Sequence, residues 1–176
     1  MWQSFGTEDD RIELVQYNPD WPAVFEAEAR RLRAACGSAL IAVEHIGSTA
    51  LPGLAAKPVL DVMLGVTRLE DADALVAPIC ALGYDYFGRY VRSSRFFFVL
   101  RANGRRVIHA HGFVAGGPHW RRHLFFRDHL RTHPQAAERY QSLKRELAAR
   151  FESDREAYSD GKKAFLQAIH DLRCDA

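Results

Sequence analysis

The chain has few cysteines, lacks any long apolar run and carries almost no excess charge. Each shortage removes a class of protein. Cys36, Cys80 and Cys174 are the only three cysteines in 176 residues, and no two of them form a CxxC pair. They frame neither a disulfide scaffold nor a thiolate metal site, and they fit a reducing cytoplasm. No apolar stretch reaches the ~20 residues that span a bilayer, so no membrane is expected as a partner. Met1 to Asp10 lacks a basic segment followed by an apolar one, so no secretory signal is read there. A GxxxxGK[ST] phosphate loop is also missing.

What is present is uneven. The net charge is only +2. Yet between Arg89 and His133 there are ten arginines, no lysine and a single acid, Asp128, together with six of the eight histidines. Such a run is either a solvated basic face or a place for a polyanionic ligand, for which the planar guanidinium is well suited. Nucleic acid is not the expected partner. No recognition motif joins the arginines, and Phe96-Phe97-Phe98 reads as a buried strand rather than a stacking platform. With 48% apolar and 26% charged residues, 176 residues suit one globular domain.

Periodicity predicts an α/β (α+β) order. Arg11 to Tyr17 alternates as a short strand, and Asn18-Pro19-Asp20 turns into a helix capped by Asp20 and stopped by Gly37. Leu40 to Ile46 reads as a strand. Gly47 to Lys57 reads as a loop with about one helical turn. Pro58 to Val66 reads as a central strand buried on both faces. A helix follows over Leu69 to Leu82, then strands over Tyr84 to Tyr90, Arg95 to Arg101 and Arg106 to Val114, the last two joined by an Asn103-Gly104 turn. The rest is helical: Trp120 to His133, a helix from Pro134 with Tyr140, Leu143, Leu147 and Phe151 on one stripe, and a last helix from about Asp154 to Asp171. The sheet core is expected over about 11–114 and the helical part over about 119–171.

The most specific segment is EHIGSTALPGLAAKPVLDVM, Glu44 to Met63. A strand ends, a Gly-Ser pair turns the chain, and the next strand carries an aspartate in an apolar run. Gly47 lets the backbone approach a ligand. Ser48 and Thr49 offer hydroxyls, the loop amides can point at an anion, and Lys57 adds a compact positive charge. Asp61 is an oxygen ligand suited to Mg²⁺. Among apolar neighbours it needs a partner, whether a cation or an arginine.

His109 and His111 lie two apart on a strand and therefore share a face. With a nearby carboxylate they would make a site for a divalent metal, Zn²⁺ or Mn²⁺ rather than Mg²⁺. Alternatively they bind phosphate oxygens, act as acid and base, or are half-buried histidines bonded to neighbours. His119 and His123, four apart, read as a solvated helix start. Arg127 and Asp128 read as a polar network near the site, with Arg127 also a candidate phosphate ligand. Lys162 lies one turn beyond Tyr158, which is read as a core residue.

These residues together resemble the GrpB family, small proteins of the nucleotidyltransferase superfamily. The likeness runs from YNPDW (Tyr17 to Trp21) through EHIGSTALPGLAAKPVLD (Glu44 to Asp61), His109 and His111, and FRDHLRTHP (Phe126 to Pro134), to Tyr158 and Lys162. The resemblance implies a mixed sheet flanked by helices and a nucleotide site. Family members also occur fused to dephospho-CoA kinase. In the superfamily, a Gly-Ser turn precedes a strand with two carboxylates at alternate positions, and a third lies on a neighbouring strand. Here Gly47 and Ser48 match the turn and Asp61 matches a carboxylate. Met63 stands at the alternate position, and His109 and His111 stand where an acid would be. The expected function is metal-dependent nucleotidyl transfer from a nucleoside triphosphate to an acceptor. Asp61, His109 and His111 would hold the metal. Gly47, Ser48, Thr49, Lys57, Arg127 and Lys162 would hold the phosphates. The alternatives are a non-catalytic nucleotide- or partner-binding module and a metal-dependent phosphohydrolase, each taking a nucleotide or another phosphorylated small molecule.

Overall fold

The computed structural model describes residues 2, 5–7, 11–90 and 95–172. Cys174 and Arg92 lie outside the described residues. The chain forms a five-stranded mixed sheet flanked by helices. Its strands are β1 (Ala42–Ile46), β2 (Leu60–Val66), β3 (Tyr84–Tyr90), β4 (Arg95–Ala102) and β5 (Arg105–Val114), in the spatial order β1-β2-β5-β4-β3. Only β2 and β5 run parallel. The other neighbours are antiparallel. The Asn103-Gly104 turn joins β4 to β5 as expected, with positive φ at both residues. β2 is interior, as its mostly apolar sequence suggests, but the middle strand is β5.

One face of the sheet carries Val43, Leu60, Val62, Leu64, Ile108, Ala110, Phe96 and Phe98. Helices α1 (Trp21–Cys36) and α2 (Asp73–Ala81) cover it through Phe25, Ala29, Leu32, Leu75 and Ile79. Burying such side chains contributes ~2 kcal/mol each before entropy is counted, so this layer is the main adhesive of the fold. The opposite face is divided. Toward the C-terminal end of β2, helix α3 (Pro118–Thr132) lays Trp120 and Leu124 over Ile46, Met63 and Phe113. Nearer the start of β2 the same face carries Asp61, His109 and His111 and is left open to the functional cavity.

Helix α4 (Pro134–Arg150) follows at Pro134, and its stripe turns Tyr140 and Leu147 inward. Two expectations fail in the terminal regions. Arg11 to Tyr17 is no strand. Only Val15 pairs, with Ala56, while the amide of Ile12 donates to the carbonyl of Glu152. The segment divides its backbone bonds between two partners and so builds no ladder. The last helix is broken into α5 (Arg155–Asp160) and α6 (Lys163–Asp171). The break falls at Gly161, packed against Leu147 so closely that a side chain there would collide with it. Asp20 also caps differently from expectation. Its side chain makes no cap, and its amide instead donates to Oδ1 of Asn18 at 2.8 Å.

Candidate functional site

Strand pairing aligns the chemistry. In the β2–β5 register Asp61 stands opposite His109, and Met63 opposite His111. Residues directly opposite share a face, as do residues two apart along a strand. All four therefore point the same way. Oδ1 of Asp61 lies 3.5 Å from Nδ1 of His109 and 3.5 Å from Nε2 of His111. One ligand atom from each of the three lies within 4.8 Å of the others. Phe97 on β4 backs both imidazoles, at ring separations of 5.6 and 4.9 Å.

The electrostatics of the trio favour ligand forms. Burial alone would raise the Asp61 carboxyl, but the two adjacent imidazoles outweigh it and hold the group well below the usual carboxylate range. Burial lowers His109 against the pull of Asp61. At pH 7 this gives an ionised carboxylate beside a neutral, lone-pair-bearing ring. His109 also has its Nε2 buried without a hydrogen-bond partner. Ligands about 2.1 Å from a shared tetrahedral ion stand about 3.4 Å apart, close to the spacing of Asp61 from each imidazole. The donor set of one carboxylate and two imidazoles thus fits a single divalent cation.

The Gly-Ser turn packs against Asp61. Gly47 has φ +70°, and a side-chain carbon there would collide with the carboxylate. A one-turn 3₁₀ segment, Ser48–Ala50, follows. Helices α3 and α4 hold this loop from behind. Arg131 donates twice to the Ala50 carbonyl, Gln141 accepts from the Ala55 amide, and the Lys144 ammonium donates to the Ala55 carbonyl. Leu51 and Leu54 pack with Phe126, Leu130 and Tyr140. His45 points to the other face. It stacks on Phe25 at 4.7 Å and bonds Oγ1 of Thr49 at 2.9 Å. Burial, aided by Arg131 and Arg127 and opposed by Asp61, pushes it down to about 4. It is a neutral strut for the loop.

The turn, the trio and the helices enclose a cavity of about 300 Å³. Gly47, Ser48, Thr49, Lys57, Asp61, His109, His111 and Lys162, all candidates from the sequence, line it. Tyr158, read as core, is indeed buried, and it also lines the cavity, with Lys162 4.4 Å and Lys57 5.2 Å from its ring centre. The sequence reading missed Lys144, Arg155, Tyr140 and Ser159, which complete the wall. A signal for Lys144 existed: it sits four residues after Tyr140 and three before Leu147, inside the buried stripe. Its burial pushes the ammonium down to about 7.

Arg127 is not among the lining residues. It binds Oε2 of Glu44 at 2.8 Å, the His45 carbonyl at 3.1 Å and Asp128 at 2.8 Å. The polar network expected of Arg127 and Asp128 is there, but it is directed at β1. Among the described residues, no arginine of the 89–133 run lines the cavity. The cations there are Lys57, Lys144, Lys162 and Arg155. His119 and His123 sit in the first turns of α3, as expected of a helix start, with His123 exposed, and both also line a second hollow.

The family model described as GrpB protein matches residues 11–172. The chain belongs to the GrpB family. A UPF0157 protein of Pseudomonas aeruginosa is 42% identical over 166 residues, covering 93% of this chain and 68% of that protein. A protein of Mycolicibacterium paratuberculosis named dephospho-CoA kinase is 33% identical over 180 residues, and here the match takes in 89% of this chain but only 44% of the relative. A GrpB domain therefore occurs within a longer chain of that name. Among solved structures, the conserved protein GrpB from Enterococcus faecalis superposes with a TM-score of 0.82 at 34% identity, covering 91% of this chain and 96% of that one. The strand-borne trio and the Gly-Ser turn thus sit on a fold that this GrpB protein shares. No helix among the described residues is long and apolar enough to cross a membrane.

Proposed function

We propose that this GrpB protein is a divalent-metal-dependent nucleotidyltransferase, acting on a nucleoside triphosphate as a single-domain cytoplasmic protein. The observation that carries the reading is the charge pattern of one cavity. Its wall has three lysines and an arginine against a single aspartate, and that aspartate is grouped with two imidazoles. Such a lining favours a ligand with several negative charges, held beside a cation. The naming of a relative as dephospho-CoA kinase supports a nucleotide-related ligand.

In this reading Asp61, His109 and His111 hold the metal, which as a Lewis acid would neutralise charge on the phosphates. Ser48, Thr49 and the backbone after Gly47 receive phosphate oxygens, because the turn leaves no side chain between them and Asp61. Lys57 and Lys162 flank the phosphate chain and offset charge that grows on the leaving pyrophosphate. Lys144 and Gln141 keep the loop in place.

A second reading, a nucleotide-binding module without turnover, draws support from Met63. It occupies the position of a second carboxylate and is fully buried with Ile46, Phe113 and Trp120. Calorimetry of ATP binding with and without Mg²⁺, Mn²⁺ or Zn²⁺, on the native protein and Asp61→Asn, tests the proposal. It expects metal-dependent binding that Asp61→Asn removes, with pyrophosphate release on addition of an acceptor. Binding that needs no metal and yields no turnover favours the module. Phosphate release without an acceptor favours a phosphohydrolase.

A further inference from the structure

A second hollow, of about 580 Å³, lies between α3 and α6. Its wall holds His119, Arg122 and His123 from α3, Lys163 and His170 from α6, and no acid. Phe126 and Leu166 make its floor apolar. This groove and the cavity of Asp61 share no lining residue but are linked through β5 and α3. His119 and His123 lie against the ring of Phe113, at 5.7 and 5.3 Å, and Phe113 is two residues beyond His111 on the same face of β5. His123 lies within electrostatic reach of both His111 and Asp61.

Three imidazoles in one groove suggest a metal, but their ring nitrogens do not converge. Among the described residues, only Asp61, His109 and His111 bring three ligand atoms together. What the groove offers is positive charge beside an apolar floor. Arg122 donates to the amide oxygen of Gln167 at 3.0 Å, which fixes the guanidinium without neutralising it. Lys163 is paired with Asp160 at 2.7 Å and adds less.

We propose that this groove binds the acceptor, a small molecule with a phosphate or carboxylate group on an apolar body and a hydroxyl reaching toward His111. The proposal rests on the transferase reading of the neighbouring cavity. The acceptor's hydroxyl oxygen forms a bond to the α-phosphorus of the triphosphate. The bond from that phosphorus to the oxygen bridging to the β-phosphate breaks, pyrophosphate leaves with the electron pair, and the hydroxyl proton passes to solvent. Arg122 and the imidazoles receive the acceptor's anionic group, while the lysines of the first cavity receive the pyrophosphate. The two anionic substrates are thereby kept apart by the row His111, Phe113 and His123.

The test uses imidazole-nitrogen NMR of the whole protein with Mg²⁺ and a non-hydrolysable ATP analogue. Phenyl phosphate and phenylacetate are titrated in, with benzyl alcohol as the neutral control. The proposal expects at least one of the two anions, and not the alcohol, to shift the His119 and His170 signals. Arg122→Ala should weaken that binding about tenfold, as loss of one charge-assisted hydrogen bond does, and leave analogue affinity unchanged. Lys163→Ala should act in the same direction more weakly. Lys57→Ala should weaken the analogue and spare the anion. Shifts confined to residues around Asp61, or anion affinity indifferent to Arg122→Ala, would overturn the proposal. If the anion binds in the groove while the analogue binds nowhere, the acceptor role falls together with the triphosphate reading. If the analogue binds and the anion does not, only the groove assignment falls.

Discussion

Gly47 and Asp61 are fitted to each other across the β1–β2 pair. A Cβ built on Gly47 would stand 3.0 Å from both Cβ and Cγ of Asp61 and would collide with Oδ2. The turn proposed to receive phosphate and the carboxylate proposed to receive a cation can be neighbours only because one of them has no side chain.

This relationship separates two costs of glycine replacement. Gly47→Ala and Gly53→Ala both place alanine at positive φ, +70° and +77°, but nothing lies within 4 Å of the added carbon at Gly53. Each should lose ~1 kcal/mol of stability from the backbone alone. Gly47→Ala should lose more, and with it metal-dependent ATP binding, while Gly53→Ala should bind as the native protein does. Urea midpoints and calorimetry on the pair check this. Equal binding by both variants would mean that the Gly47–Asp61 contact is unimportant.

Lys57 supplies a pH dependence. Burial, with Lys162 and Arg155 nearby, pushes its ammonium down to about 8 from 10.5, against the pull of Asp61. A bound phosphate favours the charged form and so raises this pKa. Below pH 8 the amine is already protonated, and affinity should be level. Between about pH 8 and 10.5 binding must take up a proton, and affinity should fall as pH rises. Calorimetry at pH 9 in buffers of different ionisation enthalpy should detect the uptake, and Lys57→Gln should reduce it.

Arg127 reads in sequence as part of a polar network, with phosphate as the alternative, and in the fold it bonds Glu44, the His45 carbonyl and Asp128. Removing it strands Glu44 and the His45 carbonyl. Arg127→Ala should therefore cost ~2 kcal/mol in chemical denaturation, the range for hydrogen bonds to charged groups. ATP affinity of the folded variant should change by no more than about twofold, because Arg127 does not line the cavity and reaches the Gly-Ser loop only through the His45 backbone. A large loss of affinity with unchanged stability would reverse this assignment.

How much was legible in the sequence follows from what kind of interaction each feature depends on. The strand over β2 and the shared face of His109 and His111 are local, and periodicity revealed them. The opposition of Asp61 and His109 depends on a parallel pairing formed across more than forty residues, so the sequence could suggest it but not establish it. Arg11 to Tyr17 alternates like a strand, but no neighbour offers it a ladder. The break at Gly161, where a side chain would collide with Leu147, is announced by no helical period. Lys144 was passed over because a lysine in an apolar stripe is ordinarily solvated, and here Ala55 supplies its ammonium with a buried acceptor. The polar network of Arg127 was legible, but its partner Glu44 was not, because an arginine's partner is set by the tertiary fold and Glu44 lies on another strand.

The most direct measurement is pulsed electron paramagnetic resonance of Mn²⁺ added with ATP. Hyperfine couplings identify the nuclei touching one ion. If the cavity holds a cation on Asp61, His109 and His111 beside the phosphates, a single bound Mn²⁺ should show both imidazole ¹⁴N and ATP ³¹P couplings, and Asp61→Asn should abolish that centre. Bound Mn²⁺ with phosphorus couplings but no nitrogen, or a spectrum unchanged in Asp61→Asn, would contradict the account.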